Sequence, residues 1–130
     1  MLVLNNCLKF TSSQIRYIIC LLRLSGGGVG VKNVELANAL EYSKPSVHNM
    51  LKSLAEMGIV SQKSFGLAHF TDDGREIARK YRLCFELLQN KMNELIGDDS
   101  ATEIAICGIL ADMPYEKIDE LYKANKKHFE

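Results

Sequence analysis

Apolar positions along the chain keep a helical period first, then a strand period, then a helical one again. Ile15, Ile18, Ile19 and Leu22 recur at i, i+3, i+4 and i+7, which places one apolar stripe on a first helix. Thr11-Ser12-Ser13-Gln14 ahead of them reads as a capping box: Thr11 accepts from free N–H groups while Gln14 reaches back. Gly26-Gly27-Gly28 stops that helix and reads as a flexible connector. Asn33 suits the N-cap of a short second helix over 34–40, with Val34, Ala37 and Leu40 inward. Ser43 caps a third helix, and Pro45 stands in its first turn, where a missing N–H costs nothing. Val47, Met50, Leu51 and Leu54 form its apolar face, and Gly58 ends it. Ile59-Val60 and residues 67–70 then read as two strands of a hairpin, turned at Ser64-Phe65-Gly66.

Thr71 caps a long helix that runs to about Ile96 and stops at Gly97, with Asp72 and Asp73 at the positive end of its dipole. Ile77, Tyr81, Cys84, Leu88, Met92 and Leu95 make one stripe, and Leu83, Phe85 and Leu87 lie on further faces. A helix apolar on several faces needs several partners. Ser100-Ala101-Thr102-Glu103 reads as a second capping box, opening a helix that ends before Pro114. Its inner positions are expected at Ile104, Cys107, Gly108 and Ala111, small enough for close helix packing. A last helix follows over 115–125, with Ile118, Leu121 and Tyr122 on one side. The expected fold is mainly α with a small β-hairpin wing: a winged helix-turn-helix over residues 1–74 and a helical dimerisation region over 75–130.

Composition bounds the class. With 130 residues, 47% of them apolar, the chain can bury a core as one domain or two small ones, and general disorder is excluded. No run approaches the roughly 18 apolar residues of a membrane span. The segment Met1 to Cys7 lacks the basic and apolar regions of a signal peptide, so a cytoplasmic location with free thiols is expected. Cys7, Cys20, Cys84 and Cys107 show no Cys-x-x-Cys spacing, which excludes a zinc ribbon or dithiol redox motif. The run Gly26 to Gly30 lacks a following Lys-Ser/Thr and is no phosphate loop. Nothing in the sequence carries an enzyme motif.

The outward face of the third helix carries the candidate chemistry. Pro45, His48, Asn49 and Lys52 stand at i, i+3, i+4 and i+7, opposite Val47, Leu51 and Leu54. Asn49 can pair bidentately with adenine, and His48 can donate to a base edge or phosphate. Ser43, Lys44, Ser46 and Lys52 can reach phosphates, and Lys63 on the wing can reach a phosphate or the minor groove. No acid stands between Tyr42 and Ala55. Net charge is zero, yet residues 1–75 hold eight bases against five acids and residues 76–130 hold eight against eleven. The expected reader is therefore at +3 and the rest at −3, so neutrality is a cancellation. Double-stranded DNA is the expected partner.

Ser43-Lys44-Pro45-Ser46-Val47, with Leu54 and Gly58-Ile59-Val60 after it, resembles the metal-dependent repressors of the DtxR/MntR type. Phe70-Thr71-Asp72-Asp73-Gly74 is similar to that family's junction between wing and helix. The resemblance spans about residues 11–122 and implies a homodimer on a palindromic operator. It also implies a divalent transition metal such as Fe²⁺ or Mn²⁺ as corepressor. The family's ligand positions fall on Gln14, on Cys107, on Leu110-Ala111 and near Cys84. Hard ions need oxygen and imidazole, so the usual metal site is dismantled here. Cys84 and Cys107 remain as candidate ligands of a softer metal, or as a thiol sensor. Two other readings stand beside the DNA-binding regulator: that sensor, and a winged-helix protein-interaction module, which would show a continuous apolar patch on the third helix.

Overall fold

A computed structural model describes residues 8–26, 28–63 and 66–128 of the chain. Six α-helices and three short strands follow one another as α1 (Ser12–Ser25), β1 (Val31–Lys32), α2 (Asn33–Leu40), α3 (Lys44–Glu56), β2 (Val60–Lys63), β3 (Leu67–Phe70), α4 (Asp72–Ile96), α5 (Ser100–Asp112) and α6 (Tyr115–Asn125). The strands form one antiparallel sheet in the order β1-β3-β2, with Val31 opposite Ala68 and Val60 opposite Phe70. The architecture is a winged helix-turn-helix joined to a helical region. The expected turn residues Ser64 and Phe65 lie outside the described residues, as does the segment Met1 to Cys7.

The contacts divide into two compact units. One spans Tyr17–Ala78; the other combines the segment ending at Arg16 with Arg79 onward. The first unit holds the helix-turn-helix and the sheet. Its core takes Ile18 and Leu21 from α1, Leu36 and Leu40 from α2, Val47, Leu51 and Leu54 from α3, and Ile59 and Ala68 from the hairpin, all buried. The second unit is built around Phe10, Tyr81, Phe85, Ile106, Leu110, Tyr115 and Ile118. Phe10 meets the Tyr81 ring edge-on at 5.5 Å between centroids, and Tyr81 lies 6.3 Å from Tyr115.

Local signals set most element boundaries. At the start of α1 the Thr11 N–H donates to Gln14 Oε1 at 2.9 Å, and the Gln14 N–H donates to Thr11 Oγ1 at 3.1 Å. This is the reciprocal box expected there. α3 ends in a Schellman arrangement: the Gly58 N–H donates to Ala55 O and the Ile59 N–H to Leu54 O, with Gly58 at φ +80°. Thr71 ties the wing to α4. Its hydroxyl donates to Gly58 O at 2.6 Å and accepts from the Gly74 N–H at 2.9 Å.

Several expectations need correction. Val31–Lys32, to which the sequence pattern assigns no element, add a third strand to the hairpin. Asn33 is the first residue of α2 rather than its cap: the Lys32 N–H donates to Glu35 Oε1 at 3.2 Å, and the helix starts one residue early. Val34 faces outward, 38% exposed, and Leu36 is buried with Ala37 and Leu40. The cap of α5 is Asp99, whose carboxylate accepts from the Thr102 N–H at 3.1 Å, not Ser100. The buried face of α5 is accordingly Thr102, Ile106, Cys107 and Leu110, while Ile104 is exposed. Gly108 makes no close helix contact either, since a Cβ there would meet nothing within 4 Å. Among the described residues, no helix is long and apolar enough to cross a membrane.

Candidate nucleic-acid interface

α3 is split cleanly between its faces. Val47, Leu51 and Leu54 are fully buried, which fixes the helix by its apolar side. Ser43, Lys44, Pro45, Ser46, His48, Asn49 and Lys52 are all exposed. The structure thus brings seven of the eight expected DNA contacts onto one helix and its cap. The eighth, Lys63, ends β2 opposite Leu67, at the closing end of the hairpin. Its side chain lies outside the described residues.

The start of α3 is held by its own serines. Ser43 Oγ accepts from the Ser46 N–H at 3.2 Å and donates to Ser46 Oγ at 2.9 Å. The Ser46 hydroxyl proton is left to donate elsewhere. This end of the helix suits a phosphate. Lys44 and Lys52 add mobile positive charge to either side, and Asn49 between them presents a donor and an acceptor to a base edge.

Glu41 and Tyr42, which the sequence reads as a tight connection between the second and third helices, shape the turn before α3. Glu41 holds a left-handed backbone at φ +59°, and the Tyr42 N–H donates to Ala37 O at 3.1 Å. The Tyr42 ring stacks on Tyr17 of α1 at 5.6 Å and 23°. An aromatic pair thus holds the turn against α1. An aromatic beside a helix-turn-helix bend was the available signal. On the wing, Gln62 is exposed and adds an amide to the same class of contact. His69 is half-buried; a Cβ at Gly30 would lie 2.7 Å from its ring.

Large exposed apolar residues in this unit are Leu24, Val29, Val34 and Tyr42, and none lies on α3. A continuous apolar patch, the mark of a protein-interaction module, is thus missing from the helix that would carry it.

The family's metal positions hold poor ligands. Gln14 is engaged in capping α1. Leu110 is buried and apolar. Cys84 is buried, its thiol donates to Ile118 O at 3.6 Å, and burial pushes its pKa up to about 11. At neutral pH it is a thiol, neither nucleophile nor ready ligand. Cys107 is also buried. Among the described residues no three His, Cys, Asp or Glu are gathered to hold a metal ion. The residues present do not fit a hard divalent ion.

Residues 20–64 match the IclR helix-turn-helix domain. The match runs from the second half of α1 through β2. A comparison with curated proteins finds no match. Among solved structures, the hypothetical protein SSo2273 from Sulfolobus solfataricus is 26% identical over 91% of each chain, with a TM-score of 0.54. ZitR from Lactococcus lactis, in a mutant form, is 18% identical with a TM-score of 0.55, covering 100% of this chain and 82% of that one. The ZitR likeness is one of fold. The chain carries a helix-turn-helix domain of winged form, with an IclR-type match over the segment that holds the exposed α3 face.

Proposed function

We propose that the protein is a sequence-specific DNA-binding transcription regulator, a repressor that acts as a homodimer on a palindromic operator. One observation carries the reading: an exposed, polar, acid-free α3 face lies within the residues that match a helix-turn-helix domain. Residues 1–74 read the DNA and residues 75–130 pair the two copies. α3 enters the major groove, where Asn49 and His48 meet base edges, and Ser43, Lys44, Ser46 and Lys52 meet phosphates. The hairpin follows the backbone with Lys63. Such a protein works in the compartment that holds the DNA. It is a relative in kind of the DtxR/MntR repressors with its metal site altered or lost, and the donor set around Gln14 and Cys84 supports that. A chelator should leave its DNA binding unchanged.

Electrophoretic mobility shift with genomic fragments, the protein's own promoter among them, tests the reading. A sequence-preferring band at moderate salt is expected, and its absence would sink the proposal. Asn49→Ala should flatten discrimination at one base position by about 1–3 kcal/mol. Lys63→Ala should instead weaken all sequences alike and lower the salt slope by about one. Equal, sequence-independent losses in both variants would show the two roles to be wrongly assigned.

A further inference from the structure

A cleft of about 420 Å³ opens between the segment ahead of α1 and the last turns of α5. Lys9, Phe10, Thr11, Gly108, Ala111 and Asp112 line it, all within one compact unit. The volume lies in the range of small-molecule sites. Phe10 and Ala111 give it an apolar wall. Lys9 and Asp112 give it opposite charges. Both are exposed, and among the described residues neither takes part in an ion pair, with the other or elsewhere.

Gly108 is the second observation. Glycine inside a helix costs about 1 kcal/mol relative to alanine. Packing does not demand it here, because a Cβ would meet nothing within 4 Å. What the missing side chain supplies is depth in the cleft.

We infer that this cleft binds a small zwitterion of the free amino acid type. Its carboxylate lies at Lys9, its ammonium group at Asp112, and its side chain against Phe10 and Ala111. Opposite charges that line one cleft and form no ion pair among the described residues match a ligand carrying both, and a simple anion or cation would leave one of them unanswered. Binding there regulates the DNA reader, a step that rests on the function proposed above. α1 begins at the cleft with Ser12 and runs without a break into the helix-turn-helix match at residue 20.

Calorimetry and thermal unfolding of the full chain against individual free amino acids test the site. The expected result is saturable heat and a raised Tm with at least one of them. Its N-acetyl and methyl ester derivatives, each lacking one charge, should bind more weakly by about tenfold or more. Gly108→Leu, whose Cβ meets nothing within 4 Å, puts a side chain into the cleft and should abolish binding while keeping or raising Tm. Asp112→Asn should remove the preference for the free amine over the N-acetyl form. No binding by any amino acid, or equal binding to Gly108→Leu, would overturn the site. Mobility shift with and without the bound amino acid then tests regulation. An unchanged operator affinity would overturn the regulatory step and leave the site standing, and ligand binding by a protein without any DNA band would count against the proposed function instead.

Discussion

A Cβ added at position 74 would overlap the Ile59 carbonyl oxygen, because α4 starts against the backbone where α3 hands over to the wing. Gly74→Ala should therefore force that junction apart and cost about 3 kcal/mol. Gly108→Ala meets nothing and sits within a helix, so it should gain about 1 kcal/mol. Urea denaturation of the two variants checks the pair; a similar change in both would mean that the close approach at Gly74 does not decide its identity. Glu41 is the converse case, a side chain where glycine is easier. Its left-handed backbone, at φ +59°, costs roughly 1–2 kcal/mol. Glu41→Gly should recover part of this, about 0.5–1 kcal/mol after the entropy of the freer unfolded chain. It also removes an acid beside α3, so DNA affinity should rise together with Tm.

At the scale of elements, the legible features were those with a local cause. The Thr11–Gln14 box, the Ser43 cap and the Gly58 stop each depend on residues a few positions apart, and each stands where the pattern put it. What was hidden depended on distant partners. β1 exists only because β3 lies beside it, and two residues hold no period of their own. α5 is apolar almost all round, so no periodicity says which side is inward, and the side expected at Ile104 proved to face out. The exposed face of α3 was readable because its apolar stripe is narrow, whereas the cleft beside Gly108 required two segments about a hundred residues apart to meet. The contact of α4 with α6 was equally invisible. Lys80 reaches Asp119 at 2.8 Å and the Tyr115 hydroxyl at 3.2 Å, and Lys123 reaches the other Asp119 oxygen at 2.9 Å. The two ammonium groups, Lys80 first, hold the Asp119 carboxyl below the usual carboxylate range. A depressed folded pKa gives stability that is present above the unfolded value, about 3.9, and is lost as pH falls through the folded one. Asp119→Asn should thus lower the urea midpoint at neutral pH, with the gap to the parent closing in acid below about pH 4. A gap that stays constant down to the acid transition would rule out the ion pair as its source.

For the whole molecule, the apolar stripe of α4 runs past what one chain buries. Ile77, Tyr81 and Cys84 are buried, Leu88 and Met92 are half-buried, and Leu95 is 82% exposed. Ile96, Ile104 and Ile109 are exposed as well, in the same compact unit. Large apolar residues left exposed in one compact unit suit an association surface. Within the proposed function a second copy covers it, which places two readers on one operator. Joining two readers makes the second contact intramolecular and can raise affinity about 10²–10⁴-fold over one half-site. Each reader is only weakly basic, so nonspecific binding stays modest and the gain falls mainly on DNA with two correctly spaced half-sites. The double variant Leu95→Glu, Ile104→Glu places charge in that surface. It should sediment as a monomer where the parent sediments as a dimer. Its affinity for a single half-site should be unchanged, while that for the palindrome falls by about 10²-fold or more. A parent that sediments as a monomer, or a variant that keeps full palindrome affinity, would refute pairing through this surface.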